Sequence, residues 1–127
     1  MKNFFFIRKS GKYIKIRLED ILYIEGCRNY LKIVTLGSTH LILVTFKRME
    51  EMLNENMFTR IHKSYIVAID KITEFGSDFV NINDRTLPIG HNYRGKLEKL
   101  ITIISDEVYQ RKEQQILTDF KRNIIAV

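Results

Sequence analysis

Three short segments of the chain concentrate side chains that can hydrogen-bond to a phosphate or to the edge of a base. They are residues 25–30, which include Arg28, Asn29 and Tyr30; residues 62–65, His-Lys-Ser-Tyr; and residues 87–94, which end in His-Asn-Tyr-Arg. Arginine pairs bidentately with guanine and asparagine with adenine, so such segments can read a DNA sequence. Each adjoins a run of strand-forming residues, and loops on rigid strands are common contact sites. The pattern favours a surface that binds another molecule over a pocket that transforms one.

Each segment also has an ordinary structural interpretation. The first is then a loop in which Asn29 adopts a left-handed conformation. The second is the start of a strand whose Tyr65 packs under the sheet, with Lys63 and Ser64 facing outward. The third caps a helical turn that follows His91.

Catalytic and metal-binding chemistry has little support. His40, His62, His91 and Cys27 include no pair with the close spacing of a zinc site. Cys27 is not followed by a helix start that would activate its thiolate. The sequence has no phosphate-binding glycine loop and no pair of carboxylates in an apolar setting. We therefore expect no enzyme, no metal, no cofactor and no small-molecule substrate.

The composition predicts one folded domain. The chain has 127 residues, of which 45% are hydrophobic and 28% charged, and this length suits a single core. No apolar run approaches the length needed to span a bilayer, so no membrane segment is expected. The single cysteine excludes an internal disulfide and is typical of a reducing cytoplasm.

The positive charge is unevenly distributed. Residues 1–100 hold 17 Lys and Arg against 11 Asp and Glu, whereas residues 101–127 hold 4 of each. The net charge of +6 therefore belongs to the first hundred residues. A run of cations without an acid supplies much of it: Arg8, Lys9, Lys12, Lys15 and Arg17. Positive charge concentrated in one module favours binding to a polyanion.

Period-2 alternation of apolar and polar residues predicts a mainly β fold. The predicted strands cover residues 14–18, 21–25, 30–36, 40–44, 66–75 and 79–82. Turns are predicted at residues 37–39, 76–78 and 83–84, and Pro88 is expected at an edge or a bulge. Thr45 should cap a helix over residues 46–55. An amphipathic helix should run from about Ser105 through the tail, which divides the chain into a domain at 1–103 and a helical extension at 104–127.

The same three segments resemble the motifs of LytTR DNA-binding domains, output domains of bacterial response regulators. The opening motif is Tyr23-Ile24-Glu25-Gly26 followed by Arg28-Asn29-Tyr30-Leu31-Lys32-Ile33. The central motif is Phe58-Thr59-Arg60-Ile61-His62-Lys63-Ser64-Tyr65-Ile66-Val67. The closing motif is Leu87-Pro88-Ile89-Gly90-His91-Asn92-Tyr93-Arg94. Their order and spacing match the family, and the resemblance covers roughly residues 4–101.

The resemblance implies an elongated arrangement of three small antiparallel sheets with short helices, whose loops enter successive major grooves of duplex DNA. Carried onto this chain, the DNA contacts are Arg28, Asn29, Tyr30, His62, Lys63, Ser64, His91, Asn92 and Arg94. His91 stands where the family often has arginine, so the bidentate reading of guanine by arginine is not expected there, although a histidine can still donate to N7 or to a phosphate. Phosphate contacts are expected from Lys12, Lys15, Arg17, Lys32 and Arg60.

The main hypothesis is a bacterial, cytoplasmic regulator of transcription that binds specific duplex DNA. The chain has no room for a receiver domain, so it is expected to be either a stand-alone regulator or part of a longer one. The tail is expected to cover the sheet or to pair with a second copy. The alternative is a protein-interaction module that pairs with a related regulator through residues 104–127 without binding DNA. Single-stranded RNA binding would require several exposed aromatic residues on one strand, and none is predicted.

Overall fold

The computed structural model describes residues 2–106 and 115–120. Within these residues the chain forms ten strands, one α-helix between β5 and β6, short 3-10 turns and a helical segment at residues 115–120. The strands are β1 (Phe4–Lys9), β2 (Lys12–Arg17), β3 (Ile21–Cys27), β4 (Tyr30–Thr35), β5 (Thr39–Ile42), β6 (Phe58–His62), β7 (Tyr65–Ala68), β8 (Ile72–Phe75), β9 (Phe79–Ile82) and β10 (Arg85–Pro88). The helix α1 spans Phe46–Met52, and the 3-10 turns are Leu18–Asp20, Ile69–Lys71, His91–Tyr93 and Leu97–Leu100.

The strands form three antiparallel sheets, which confirms the mainly β prediction. β1 and β2 form a hairpin, and β10, β9 and β8 form a three-stranded sheet in that order. The largest sheet has five strands in the order β5-β4-β3-β7-β6. β3 occupies its centre and pairs antiparallel with both β4 and β7.

The five-stranded sheet is buried on both faces. On one face, side chains such as Ile24 and Ile66 pack with Ile7 and Ile16 of the hairpin and with Met49 of α1. On the other face, Tyr23 and Val67 join a second cluster, to which β9 and β10 contribute Val80, Ile82 and Leu87. Burial on both faces removes the simple alternation that marks a half-exposed strand. It explains the continuous apolar run Ile21-Leu22-Tyr23-Ile24 in β3.

The predicted turns are confirmed, and one predicted strand is wrong. Antiparallel pairs β4–β5, β8–β9 and β9–β10 flank the three predicted turns. Pro88 ends β10, an edge strand. Residues 66–75 were expected to form one strand, but the 3-10 turn Ile69–Lys71 separates β7 from β8. The charged residues Asp70 and Lys71 interrupt the apolar pattern where the chain passes from one sheet to the other, and no residue of this turn is buried.

The helical predictions are confirmed only in part. Thr45 caps α1, because its side-chain oxygen accepts a hydrogen bond from the backbone N–H of Arg48 at 3.1 Å. The helix ends at Met52 and not at residue 55; beyond it, the Asn54 side chain accepts from the backbone N–H of Asn56, a local bond that competes with helix.

The tail departs from its prediction at its beginning. Residues 102–106 form neither helix nor strand, so the predicted helix does not begin at Ser105. Residues 115–120 are helical and their side chains are exposed, so this part does not cover the sheet. The rest of the predicted helix lies outside the described residues.

Candidate nucleic-acid interface

The first two polar segments meet at one end of the five-stranded sheet. β3 and β7 are antiparallel neighbours, with Glu25 opposite Tyr65, so the turn that follows β3 lies beside the turn that precedes β7. We call residues 27–30 the first loop and residues 62–65 the second loop. The backbone N–H of Gly26 donates to the carbonyl oxygen of Ser64 at 2.9 Å. This bond fixes the spacing of the two loops.

The third segment is attached to the second loop in the same way. The backbone N–H of Gly90 donates to the carbonyl oxygen of Ile61 at 2.7 Å. The two segments approach so closely that a Cβ on Gly90 would lie 3.4 Å from Cδ2 of His62. We call residues 90–94 the third loop. Two backbone hydrogen bonds therefore join all three loops into one unit.

Most of the predicted contact residues point into solvent. Arg28, Asn29, Tyr30 and Lys63 are exposed, as are His91, Asn92 and Arg94. His62, Ser64 and Lys32 are half-buried. Lys32 lies in β4 opposite Glu25, so it is set back from the loop tips. Tyr65 and Tyr93 pack against the second core cluster, and thus anchor the second and third loops.

The first loop carries an unfavourable backbone conformation. Arg28 has a φ of 58°, in the left-handed region that only glycine enters without cost. The sequence interpretation had assigned this conformation to Asn29, which is wrong. A non-glycine residue with positive φ costs about 1–2 kcal/mol, so Arg28 occupies a position where glycine would relieve strain.

The His62 side chain stabilises the second loop through contacts within the loop. Its Nδ1 accepts a hydrogen bond from the backbone N–H of Ser64 at 3.0 Å, and its ring centroid lies 5.6 Å from that of Tyr65. Nε2 is the remaining ring nitrogen for an outside partner. Lys63, between these two residues, is exposed and forms the tip of the loop.

Arg60 stabilises the second loop by hydrogen bonds to its backbone carbonyl groups. Its predicted role was instead a contact with a DNA phosphate. Its Nε donates to the carbonyl oxygen of His62 at 3.2 Å, and a terminal nitrogen donates to the carbonyl oxygen of Lys63. The other terminal nitrogen lies 3.0 Å from a carboxylate oxygen of Glu50. The guanidinium is occupied within the protein, so it positions the loop.

An aromatic ring connects this arginine to the first loop. The guanidinium carbon of Arg60 lies 4.3 Å from the ring centroid of Phe46, a cation–π distance. The same ring passes so close to the end of β3 that a Cβ on Gly26 would lie 2.7 Å from Cε2 of Phe46. Sequence reasoning missed this stack; its signal is the glycine inside a strand pattern, which often marks close approach of another group.

Tyr65 is held in its phenol form at the base of the loops. Burial raises the pKa of Tyr65, and the nearby Glu25 carboxylate raises it further, against the opposing effect of Arg85. Glu25 is the cross-strand partner of Tyr65, so this interaction links β3 to β7 at the base of the first two loops.

The basic hairpin reaches the same end of the molecule. The side-chain amine of Lys9 donates to the carbonyl oxygen of Leu41 at 3.0 Å. Residues 7–10 and Tyr30 line one groove of about 300 Å³, together with residues 41–43. The hairpin turn therefore lies beside the first loop and extends its positive surface.

Other kinds of site are not formed by the described part of the chain. Among residues 2–106 and 115–120, no cluster of three or more His, Cys, Asp or Glu side chains is placed to hold a metal ion. No helix in these residues has the length and apolar composition to cross a membrane.

Comparison with known families identifies this arrangement. The model of the LytTr DNA-binding domain family matches residues 11–102. The chain belongs to this family. The LytTr family is a family of DNA-binding domains.

Similar proteins include a sensory transduction protein and a transcriptional regulator. The chain is 28% identical over 96 residues to "Sensory transduction protein LytT" of Bacillus cereus and of Bacillus anthracis, with 71% of this chain and 39% of each relative covered. It is 22% identical over 105 residues to "Heme-containing CO-sensing transcriptional regulator RcoM 2" of Paraburkholderia xenovorans, with 77% of this chain and 39% of the relative covered. The chain thus spans well under half the length of these relatives.

A solved structure shares the fold. The LytTr DNA-binding domain of a putative methyl-accepting/DNA response regulator from Bacillus cereus superposes with a TM-score of 0.70 at 17% identity. The match covers 81% of this chain and all of the other. The likeness confirms the expected LytTr fold of small antiparallel sheets and short helices.

Proposed function

We propose that the protein is a bacterial, cytoplasmic transcription regulator that recognises specific duplex DNA by placing its three loops in successive major grooves. The observation that supports this most is the attachment of three exposed polar loops to one end of one sheet by two backbone hydrogen bonds. Residues 1–103 form the DNA-binding unit in this proposal. The tail at 104–127 is an extension with a separate role.

In this proposal some residues of the interface contact bases and others contact phosphates. Arg28 and Asn29 of the first loop, Lys63 of the second, and His91, Asn92 and Arg94 of the third are exposed and contact base edges or nearby phosphates. Tyr30, Ser64 and the Nε2 of His62 contribute polar contacts beside them. Lys32 and the hairpin residues Lys12, Lys15 and Arg17 contact flanking phosphates, and such contacts give binding a steep dependence on salt.

The strained backbone of Arg28 supports a functional role for its side chain. Unfavourable backbone conformations persist where the surrounding structure imposes them, and they cluster at binding sites. Glycine at this position would relax the strain, but it would lose the guanidinium that can bind guanine bidentately. Substitution with glycine therefore removes the contact without destabilising the loop.

Replacing either tip residue should weaken DNA binding and leave the fold intact. Selection from a random duplex pool first gives the recognition site. On that site, Lys63→Ala and Arg28→Gly should each cost about 1–3 kcal/mol of binding if each side chain reads a base. Fluorescence anisotropy measures the affinity, and thermal unfolding checks that the variants remain folded.

The matched control is Lys71→Ala. Lys71 follows the far end of β7, opposite the second loop, and it pairs at 3.4 Å with Asp70, whose side chain is 66% exposed. Its removal should leave DNA affinity nearly unchanged. Unchanged affinity in Lys63→Ala and Arg28→Gly would remove these residues from the interface; a pool that yields no bound duplex would overturn the function itself.

A second candidate function is pairing with another regulator through the tail, including a second copy of this chain. Residues 115–120 are helical, and Ile116, Leu117 and Phe120 are 67%, 53% and 62% exposed. Exposed apolar side chains on a helix favour a partner surface. Combined Ile116→Asp and Phe120→Asp substitutions should abolish self-association or partner binding in sedimentation experiments while DNA affinity for a single site persists. Loss of DNA affinity in this variant would instead place the tail within the DNA-binding unit.

A further inference from the structure

The β1–β2 hairpin has an outward face that the three loops do not include. Phe5, Ile7, Ile14 and Ile16 pack toward the first core cluster. The opposite face carries three aromatic and three cationic side chains, all exposed: Phe4, Phe6, Arg8, Tyr13, Lys15 and Arg17. We call this set the hairpin face. The strand register places each aromatic residue directly opposite a cation: Phe4 with Arg17, Phe6 with Lys15, and Tyr13 with Arg8.

The aromatic rings of this face are close together and open to solvent. Phe4, Phe6 and Tyr13 are 37%, 53% and 67% exposed. The Phe4 and Phe6 centroids are 6.0 Å apart, with the rings perpendicular. The sequence analysis expected no strand with several exposed aromatic residues, and this expectation is wrong. The register of the run Phe4-Phe5-Phe6 decides which rings face outward.

The cations of the hairpin face lie over the rings. The Lys15 amine is 4.4 Å from the Phe4 centroid, and the Arg8 guanidinium carbon is 5.7 Å from the Tyr13 centroid. No acidic residue occurs before Glu19, which lies 3.7 Å from Arg17 at the base of the hairpin. The face is therefore strongly positive, and its partner must carry negative charge.

We propose that the hairpin face binds single-stranded nucleic acid. Unpaired bases stack on Phe6, Phe4 and Tyr13, and the backbone phosphates pair with Arg8, Lys15 and Arg17. Surfaces that bind single strands combine aromatic stacking platforms with cations that follow the backbone. The alternation of ring and cation across the two strands supplies both elements at the spacing of neighbouring side chains, about 5 Å.

The composition of the face favours this ligand over the two other anionic classes. The bases of a duplex are already paired and stacked on one another, so a duplex bound at this face would leave the three aromatic rings without a stacking partner. The core of a protein interface is depleted of charged residues, whereas half of the six residues here are cationic. An unpaired strand uses both the rings and the charges.

The hairpin face is continuous with the proposed duplex interface. The hairpin turn lies beside Tyr30 of the first loop, in the groove that these residues share. A strand that leaves the duplex near the first loop can therefore reach the rings without crossing acidic surface. The two proposals share the cations Lys15 and Arg17, but the three aromatic rings belong to the hairpin face alone, so substitutions of the rings test single-strand binding separately from duplex recognition.

The test measures binding of labelled oligothymidine of about 12 nucleotides, a length in the range of single-strand sites. The full chain is compared with the variants Phe6→Leu and Tyr13→Leu, which keep an apolar side chain but remove the ring. Each should weaken binding by about fivefold or more, since base stacking on an aromatic side chain is worth at least that factor. An abasic oligomer of equal length should bind the unmodified protein more weakly than oligothymidine. Oligouridine of the same length distinguishes DNA from RNA as the source of the strand.

The control variant is Phe120→Leu, an equally exposed phenylalanine outside the hairpin (62%), which should not change binding. Phe6→Leu should also retain its affinity for the selected duplex, so failure of the two proposals can be told apart. Equal binding of abasic and thymidine oligomers would show phosphate attraction alone and overturn the proposal. Unchanged binding in both hairpin variants, or no binding of any single strand, would overturn it as well; the latter would point to an acidic protein as partner.

Discussion

Replacement of Arg60 by alanine is expected to lower the free energy of unfolding by about 3 kcal/mol and to weaken binding to the selected duplex. A hydrogen bond from a charged group contributes about 1.5–3 kcal/mol, and such contributions are only partly additive. Arg60 makes three polar contacts, to the carbonyl oxygens of His62 and Lys63 and to Glu50, and its side chain is only 23% exposed. Its loss leaves the second loop without support.

Chemical denaturation and anisotropy measure the two effects. Arg48→Ala is the matched control: Arg48 pairs with Glu51 at 3.5 Å, but their side chains are 64% and 53% exposed, and a surface pair contributes about 0–1 kcal/mol. Arg60→Lys should recover little stability, because an ammonium group cannot bridge two carbonyl groups and a carboxylate as the planar guanidinium does. If Arg60→Ala keeps nearly the stability of the unmodified protein but loses DNA affinity, Arg60 contacts a DNA phosphate and does not stabilise the loop.

Addition of a single methyl group in Gly26→Ala is expected to destabilise the protein by about 2 kcal/mol, the usual cost of overpacking. The new Cβ would lie 2.7 Å from Cε2 and 3.1 Å from Cζ of Phe46, far inside contact distance. The ring must move, and it carries the Arg60 guanidinium on its face. The displacement therefore reaches the second loop as well as the first, and DNA affinity should fall with stability.

Gly37→Ala serves as the control, because a Cβ at Gly37 meets nothing within 4 Å and should change stability little. Thermal unfolding of both variants separates a steric effect from a general effect of losing a glycine. Full stability of Gly26→Ala would mean that Phe46 shifts freely, and the link between the two loops through this ring would then be wrong.

The sequence predicted the turns because their signals are local, and it predicted most of the strands, although β1, β6 and β10 were not among them. The Gly-Ser-Thr and Asn-Asp segments indicate hairpin turns through the conformational preferences of their own residues. Thr45 indicates the start of its helix because its side chain bonds the backbone only three residues further along the chain. The break at Ile69–Lys71 was missed although the charged pair Asp70-Lys71 interrupts the apolar pattern there, because the apolar residues on both sides were taken as one strand. The end of α1 was missed for a similar reason: apolar residues continue to Leu53, which is buried beyond the helix.

The exposed loop residues of the candidate site could be predicted from the sequence, whereas the residues that hold the loops in position could not. Lys63, Asn92 and Arg94 are polar residues in turns, and their exposure follows from their type. Arg60 also looked like an exposed cation on an alternating strand, yet its guanidinium folds back onto carbonyl oxygens that only the tertiary structure places there. The exposure of Phe6 was equally hidden, since three successive phenylalanines give no period from which to read an inner and an outer face.

The bonds that join the three loops run from main chain to main chain, from Gly26 to Ser64 and from Gly90 to Ile61. Side chains at the tips can therefore be exchanged without altering the distances between the tips. Under the proposed function, single replacements of residues such as Arg28, Lys63 and His91 should therefore change the preferred operator without changing the spacing of the contacted base pairs along the helix.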